Sequence, residues 1–180
     1  MILGFTQELN NKPTYFVERI WEGLLRFHFD TDKEYDAFMN EHKEKFGKHW
    51  DWFPEEHERL INTKAHTIRE DKNDRWKVGT MIDFFINVRQ KSMFRFAPVL
   101  PVISAQKVII VWFELFGKRM VRVFIDGKSF AMVKFADELI ITGNMLELAQ
   151  NDGFDTIEDF FAYFNEDFKG KIIHWTDLRY

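Results

Sequence analysis

The run Lys64-Ala65-His66-Thr67-Ile68-Arg69 brings an amine, an imidazole, a hydroxyl and a guanidinium into one short stretch. In an extended segment, side chains at i and i+2 share a face, so Thr67 and Arg69 point together while His66 and Ile68 point the other way. Lys64 has the wrong parity to join Thr67 in a straight strand and reaches the same side only from a turn that precedes it. From the residues alone Lys64 and Arg69 read as exposed charges flanking a strand, and His66 reads as a structural histidine. A second concentration follows directly. Arg75-Trp76-Lys77 places an aromatic ring between two cations in a turn, a combination that stacks on a base while neutralising phosphates. Trp50, Trp52 and Phe53 form another aromatic group, which reads as packing between the N-terminal region and the rest of the chain.

Other chemistries are not supported. His42, His49 and His57 lie among acidic residues, but no pair forms a His-Glu-x-x-His motif, and Gly47 and Pro54 interrupt the segment, so no metal is expected. The chain has no cysteine, which excludes thiolate ligands, thiol nucleophiles and disulfides and fits a reducing, cytoplasmic compartment. Neither a dinucleotide fingerprint, nor a Walker loop, nor a Gly-x-Ser-x-Gly elbow is present, and no cofactor is expected.

Composition sets the frame for these residues. A chain of 180 residues that is 46% hydrophobic and 17% aromatic can close its own core, and it reads as a single domain over 1–180. Its net charge of −4 supplies no global basic field, so any contact with nucleic acid must be local. Residues 1–11 lack the features of a secretion signal, and no uninterrupted apolar run approaches the ~20 residues of a membrane-spanning helix, so no membrane partner is expected.

The elements that must position the candidates follow from periodicity. Val17, Ile20, Trp21 and Leu24 share one helical face, with Pro13 near the start and Thr14 as cap. Thr31 and Glu34 form a capping box ahead of a second helix that ends at Gly47, and Pro54 opens a third over 55–62. From residue 65 the pattern alternates. Segments 65–69, 80–88, 102–115 and 120–133 read as strands, and Asp126-Gly127 reads as a type I′ hairpin turn. Asp155 and Glu158 cap a late helix carrying Ile157, Phe160, Phe161 and Phe164, and 171–175 reads as a closing strand. The expectation is an α+β fold in which 65–135 form a mainly antiparallel barrel completed by 171–175, with Ile68, Phe84, Ile86, Val108 and Ile110 buried.

Lys64 to Arg69 also matches the Lys-x-x-Thr-x-Arg part of the signature of the ASCH family, with Asn62 where that family has glycine. Arg75-Trp76-Lys77-Val78-Gly79 resembles the family's basic turn, Asp152-Gly153-Phe154 resembles the entry to its late helix, and 171–180 resembles its final strand. The resemblance covers about residues 55–180 and leaves 1–54 as an N-terminal helical elaboration. It implies a PUA-like, mainly antiparallel β-barrel with flanking helices, whose cleft holds RNA or a modified nucleoside through Lys64, Arg69, Arg75, Trp76 and Lys77. One branch of the family removes the acetyl group from the exocyclic amine of acetylcytidine, and carried over by position its catalytic Lys, Thr and Glu fall on Lys64, Thr67 and Asp152. A desolvated lysine could take the proton of Thr67 or of a water, with the carboxylate orienting it. Asp152 is one methylene shorter than the family's Glu, and a misplacement of about 1 Å can cost on the order of a hundredfold in rate. A third reading makes the acidic, aromatic-rich N-terminal region a docking site for a protein partner.

Overall fold

The computed structural model describes residues 1–9, 11–27, 32–50, 63–135 and 140–180. The helix expected over 55–62, together with Asn62, Thr31, Trp52, Phe53 and His57, lies outside the described residues. The chain is α+β with mostly antiparallel sheets, and it divides into two compact units, residues 1–65 with 79–101 and residues 66–78 with 102–180.

In the first unit, β1 (Ile2–Phe5) alternates exposed and buried residues and pairs in parallel with β5 (Met81–Ile86). The short strands β6 (Phe94–Arg95) and β7 (Leu100–Pro101) pair antiparallel with β5, and β2 (Glu8–Leu9) with β3 (Lys12–Pro13) make a small hairpin. Phe5 stacks on Phe84 at 5.9 Å and meets Phe96 edge-on at 5.7 Å, which joins the two outer segments of the sheet through side chains. Helix α1 (Phe16–Phe27) buries the expected stripe of Val17, Ile20, Trp21 and Leu24. Thr14 does not act as a simple cap: its hydroxyl donates to the carbonyl of Thr6 at 2.7 Å. Trp21 donates from Nε1 to the carbonyl of Phe96 at 2.7 Å and stacks on Trp50 at 5.9 Å. Helix α2 (Asp32–Phe46) stops where Gly47 takes φ 75°, a backbone conformation with no steric cost for glycine.

The second unit is a six-stranded sheet in the order β11-β10-β9-β8-β12-β4 in which every pair is antiparallel. Its strands are β4 (His66–Arg69), β8 (Ser104–Leu115), β9 (Lys118–Ile125), β10 (Lys128–Lys134), β11 (Ile140–Thr142) and β12 (Phe168–His174). Asp126 and Gly127 take φ 50° and 79°, the paired positive values a type I′ turn requires. Phe116 and Gly117 form the same kind of turn at φ 52° and 68°, at a position where a bulky aromatic gives no such signal. Helices α3 (Met145–Asn151) and α4 (Ile157–Tyr163) complete the unit, and Trp112 packs against Phe161 of α4 at 5.5 Å. The cap of α4 falls one residue later than expected. Thr156, not Asp155, accepts from the amide of Asp159 at 3.0 Å.

The barrel is corrected by the same topology. Ile68, Phe84, Ile86, Val108 and Ile110 are all buried as expected, yet among the described residues the sheets do not close. The strand expected over 80–88 pairs with β1 instead, and the six-stranded sheet has β11 and β4 as its edges. Alternation specifies which face of a strand is buried and leaves its neighbour open, and the four residues of β1 supply an edge that the pattern did not reveal. Among the described residues no helix is long and apolar enough to cross a membrane.

Candidate functional site

Because β4 is an edge strand, the backbone groups that do not face β12 need other partners. Asp152 supplies one. It follows α3, its own amide bonds back to the carbonyls of Leu148 and Ala149, and its Oδ1 accepts from the amide of Ile68 at 3.1 Å. Thr67 is the neighbouring residue, opposite Ile173, and both Thr67 and Asp152 are buried. Asp152 therefore meets β4 at the Ile68 amide and beside His66, whose side chain is on the face opposite that of Thr67. Lys64 belongs to the first unit, where it is 1% exposed and its ammonium lies 4.6 Å from the Phe16 ring centre and 6.0 Å from that of Phe5. A lysine seated on aromatic faces is held by the rings' negative quadrupole.

His66 continues the buried network below β4. Its Nδ1 stands 3.7 Å from Asp152 Oδ1, and its Nε2 lies 2.8 Å from the hydroxyl oxygen of Tyr180. Asn151 donates to that same oxygen at 3.0 Å. Burial pushes the Tyr180 hydroxyl above its ordinary range, so it remains a neutral donor. His66 thus has the structural role its parity suggests. Across the sheet, His174 sits opposite both His66 and Ser104, with its ring 5.1 Å from that of His66. Both ring nitrogens of His174 and the Ser104 hydroxyl have no hydrogen-bond partner among the described residues. Burial, with the charge of Arg179 adding and that of Asp126 opposing, brings His174 down to about 4.

The turn after β4 is built on Asp71, whose two oxygens accept from the amides of Arg75 and Trp76, each at 2.9 Å. Lys171 of β12 braces it, reaching Asp74 at 2.5 Å, the carbonyl of Trp76 at 2.6 Å and Asp71 at 3.3 Å. Burial pushes the Asp71 carboxyl upward, but the Trp76 and Arg75 amides and Lys171 outweigh it and leave it below the usual carboxylate range. Hydrogen bonding to Lys171 lowers Asp74 in the same way. This folding turns Trp76 inward to 6% exposure, so its ring is a packing element and not an open platform. Arg75 stays exposed, Lys77 lies 3.4 Å from Asp74, and Arg69 is half-buried opposite Lys171.

The sheet of the second unit has a further set of residues that the chain-order reading passed over. Val108, Ile110, Val121, Val123, Val133 and Ile172 share the face on which Trp112 meets α4. Strand registers then put Lys107, Ile109, Val111 and Phe113 of β8 on the other face, together with Arg122 and Phe124 of β9 and Met132 and Lys134 of β10. Lys169 and Lys171 of β12 and Thr67 and Arg69 of β4 extend the same face. None of these residues is acidic; carboxylates reach the strands from the turns, Asp71 and Asp74 at Lys171, Asp126 at the Lys107 amide and Asp167 at the Trp112 amide. Val111, Phe113, Arg122 and Phe124 line a shallow concavity of about 190 Å³. The Arg122 guanidinium lies 5.8 Å from the Phe113 ring centre and donates toward the sulfur of Met132 at 3.7 Å. The signal for this face was present in the alternation of Lys107, Ile109, Val111 and Phe113 with core residues, but it takes strand pairing to align them with Arg122 and Phe124.

Among the described residues no group of three or more His, Asp or Glu side chains is placed to hold a metal ion. No family model, no curated protein and no solved structure matches the chain.

Proposed function

We propose that this protein binds RNA or a modified nucleoside. The observation that carries the reading is the cationic sheet face: on a chain of net charge −4, one face of the antiparallel sheet gathers lysines, arginines and aromatic rings with no acidic strand residue among them. The likeness of residues 64–69 to the ASCH family supports the same ligand class and does not depend on a closed barrel. The cysteine-free composition fits a cytoplasmic protein. Anisotropy titration of a labelled single-stranded 12-mer RNA, with free nucleosides as competitors, tests the reading. Saturable binding that weakens with salt is expected, and no binding of either RNA or nucleoside refutes it.

A second reading, hydrolysis of the acetyl amide of acetylcytidine, rests on the likeness of Lys64, Thr67 and Asp152 to the catalytic residues of the family they resemble. The Asp152 carboxylate holds the Ile68 amide, and a carboxylate engaged in holding backbone is poorly placed to carry a proton to a leaving amine, which favours the binding module. Acetate release from acetylcytidine without added metal, lost in Thr67→Val, would reverse that preference. The protein-docking reading of the N-terminal region loses its strongest aromatic, because Trp50 is buried between Trp21 and Tyr35.

A further inference from the structure

We infer that the part of this sheet face around Val111 and Arg122 is a platform for unpaired RNA, on which two bases stack separately on Phe113 and Phe124 while Arg122, Lys107, Lys169 and Lys134 meet the phosphates. This deepens the proposed function and rests on it. Phe124 stands opposite Ile109 and Phe113 opposite Met120, so the two rings are four positions apart along the hairpin, about 14 Å at the rise of an extended strand. That backbone spacing gives each ring room for its own base. Between them lie Val111 and its cross-strand partner Arg122, at the floor of the concavity. A cation set between two rings suits a strand whose backbone runs across the face while successive bases turn down onto it.

The surroundings select this occupant. A protein partner with an apolar surface would find its contact broken by cations at Lys107, Arg122, Lys134 and Lys169, each needing a carboxylate in register. A polynucleotide brings one anion per residue, and every base has a π-face, so the spacing need match no sequence. Duplex RNA keeps its bases stacked inside and cannot offer them to a flat face.

The hairpin that carries the platform ends in a second feature. Phe116 is 94% exposed at φ 52°, in the left-handed region where a bulky residue is an outlier. The turn type favours Asn, Asp or Gly at this place. Leu115 and Lys118, paired across the same turn, continue the platform face to the tip, so Phe116 stands at its end as a third ring available to a base.

The test is anisotropy of an unstructured 12-mer RNA and of the same sequence closed into a hairpin stem, with wild type, Phe113→Ala/Phe124→Ala, Phe124→Tyr, Phe116→Gly and Arg122→Ala. The unstructured strand should bind at least ten-fold more tightly than the stem. Each lost ring on the face should weaken binding roughly ten-fold, from the contribution of one stacked base. Phe124→Tyr should bind like wild type, which shows that the platform still folds and that the ring is what matters. Phe116→Gly should weaken binding while raising the unfolding midpoint, because the strain leaves with the ring. Wild-type binding that survives Phe113→Ala/Phe124→Ala, or equal affinity for the stem, overturns the platform and leaves RNA binding standing. Wild type that binds only free nucleoside, or only anionic vesicles, overturns the platform as well. Wild type that binds neither RNA nor nucleoside removes the proposed function itself.

Discussion

His174 should make the stability of the second unit fall on acidification within a definable window. Its folded value is about 4 against an ordinary 6.5, because the buried ring offers its charge no solvent and no carboxylate partner at hydrogen-bond distance among the described residues. A depressed histidine is neutral when folded and charges more readily when unfolded. Its contribution is therefore fully present above pH 6.5 and is lost as the pH falls toward 4. The full shift corresponds to about 3 kcal/mol, and between pH 7 and pH 4.5 linkage gives a loss of about 2.5 kcal/mol from this one group. The groups that face or act on it are His66, Tyr180, Arg179 and Asp126, with Asp152 beyond His66. Urea unfolding of wild type and His174→Phe at pH 7 and 4.5 separates the His174 share, since what the carboxylates contribute independently of the ring cancels between the two proteins. Wild type should lose about 2.5 kcal/mol more than the variant over this interval, and the imidazole protons of His174 should titrate near pH 4 by NMR. Equal losses in the two proteins, or a His174 midpoint near 6.5, would refute the account of a buried and unpaired ring.

Three further outcomes follow from the geometry. Lys171→Met removes the ammonium that braces Asp71, Asp74 and the Trp76 carbonyl, and should cost about 2–4 kcal/mol in urea unfolding because the Asp71 carboxylate is left buried without its counter-ion. Thr156→Ala deletes the hydroxyl that accepts from the Asp159 amide, and thermal or urea unfolding should register a loss of about 1 kcal/mol, with Thr156→Ser recovering most of it. Arg75→Ala/Lys77→Ala should weaken RNA binding and reduce the magnitude of the log-affinity against log-salt slope by about 0.7, the share of one phosphate on a single strand, because Lys77 is already compensated by Asp74 while Arg75 is free to take a phosphate; an unchanged slope would remove this turn from the interface.

Local chemistry was legible wherever a short segment determines its own conformation. The stripe of α1, the glycine that ends α2, the Asp126-Gly127 turn and the alternation of β8 and β9 all follow from spacing, since each depends on neighbours within a few residues. The same locality explains the near misses. Thr156 and Asp159 make a capping box as readable as Asp155 and Glu158, and the competition between adjacent registers is settled by where α4 must place Ile157, Phe160 and Phe161. The Phe116-Gly117 turn had no signal because a bulky residue at positive φ is unfavourable by itself and is tolerated only when two long paired strands impose the reversal.

Strand partnership belonged to the tertiary structure. Nothing in the residues of β5 distinguishes pairing with β1 from a place in one barrel, because hydrophobic alternation states which side is buried and not which strand lies alongside. For the same reason, Lys64-Ala65-His66-Thr67-Ile68-Arg69 showed from its own sequence that His66 opposes Thr67. Only folding placed a carboxylate 84 residues away on the Ile68 amide. Sequence determined the chemical inventory and its local periodicity, which are properties of a few bonded neighbours. The union of Phe113, Arg122 and Phe124 into one surface depends on hydrogen-bond register between strands, and register is decided by the collective burial of the face beneath them.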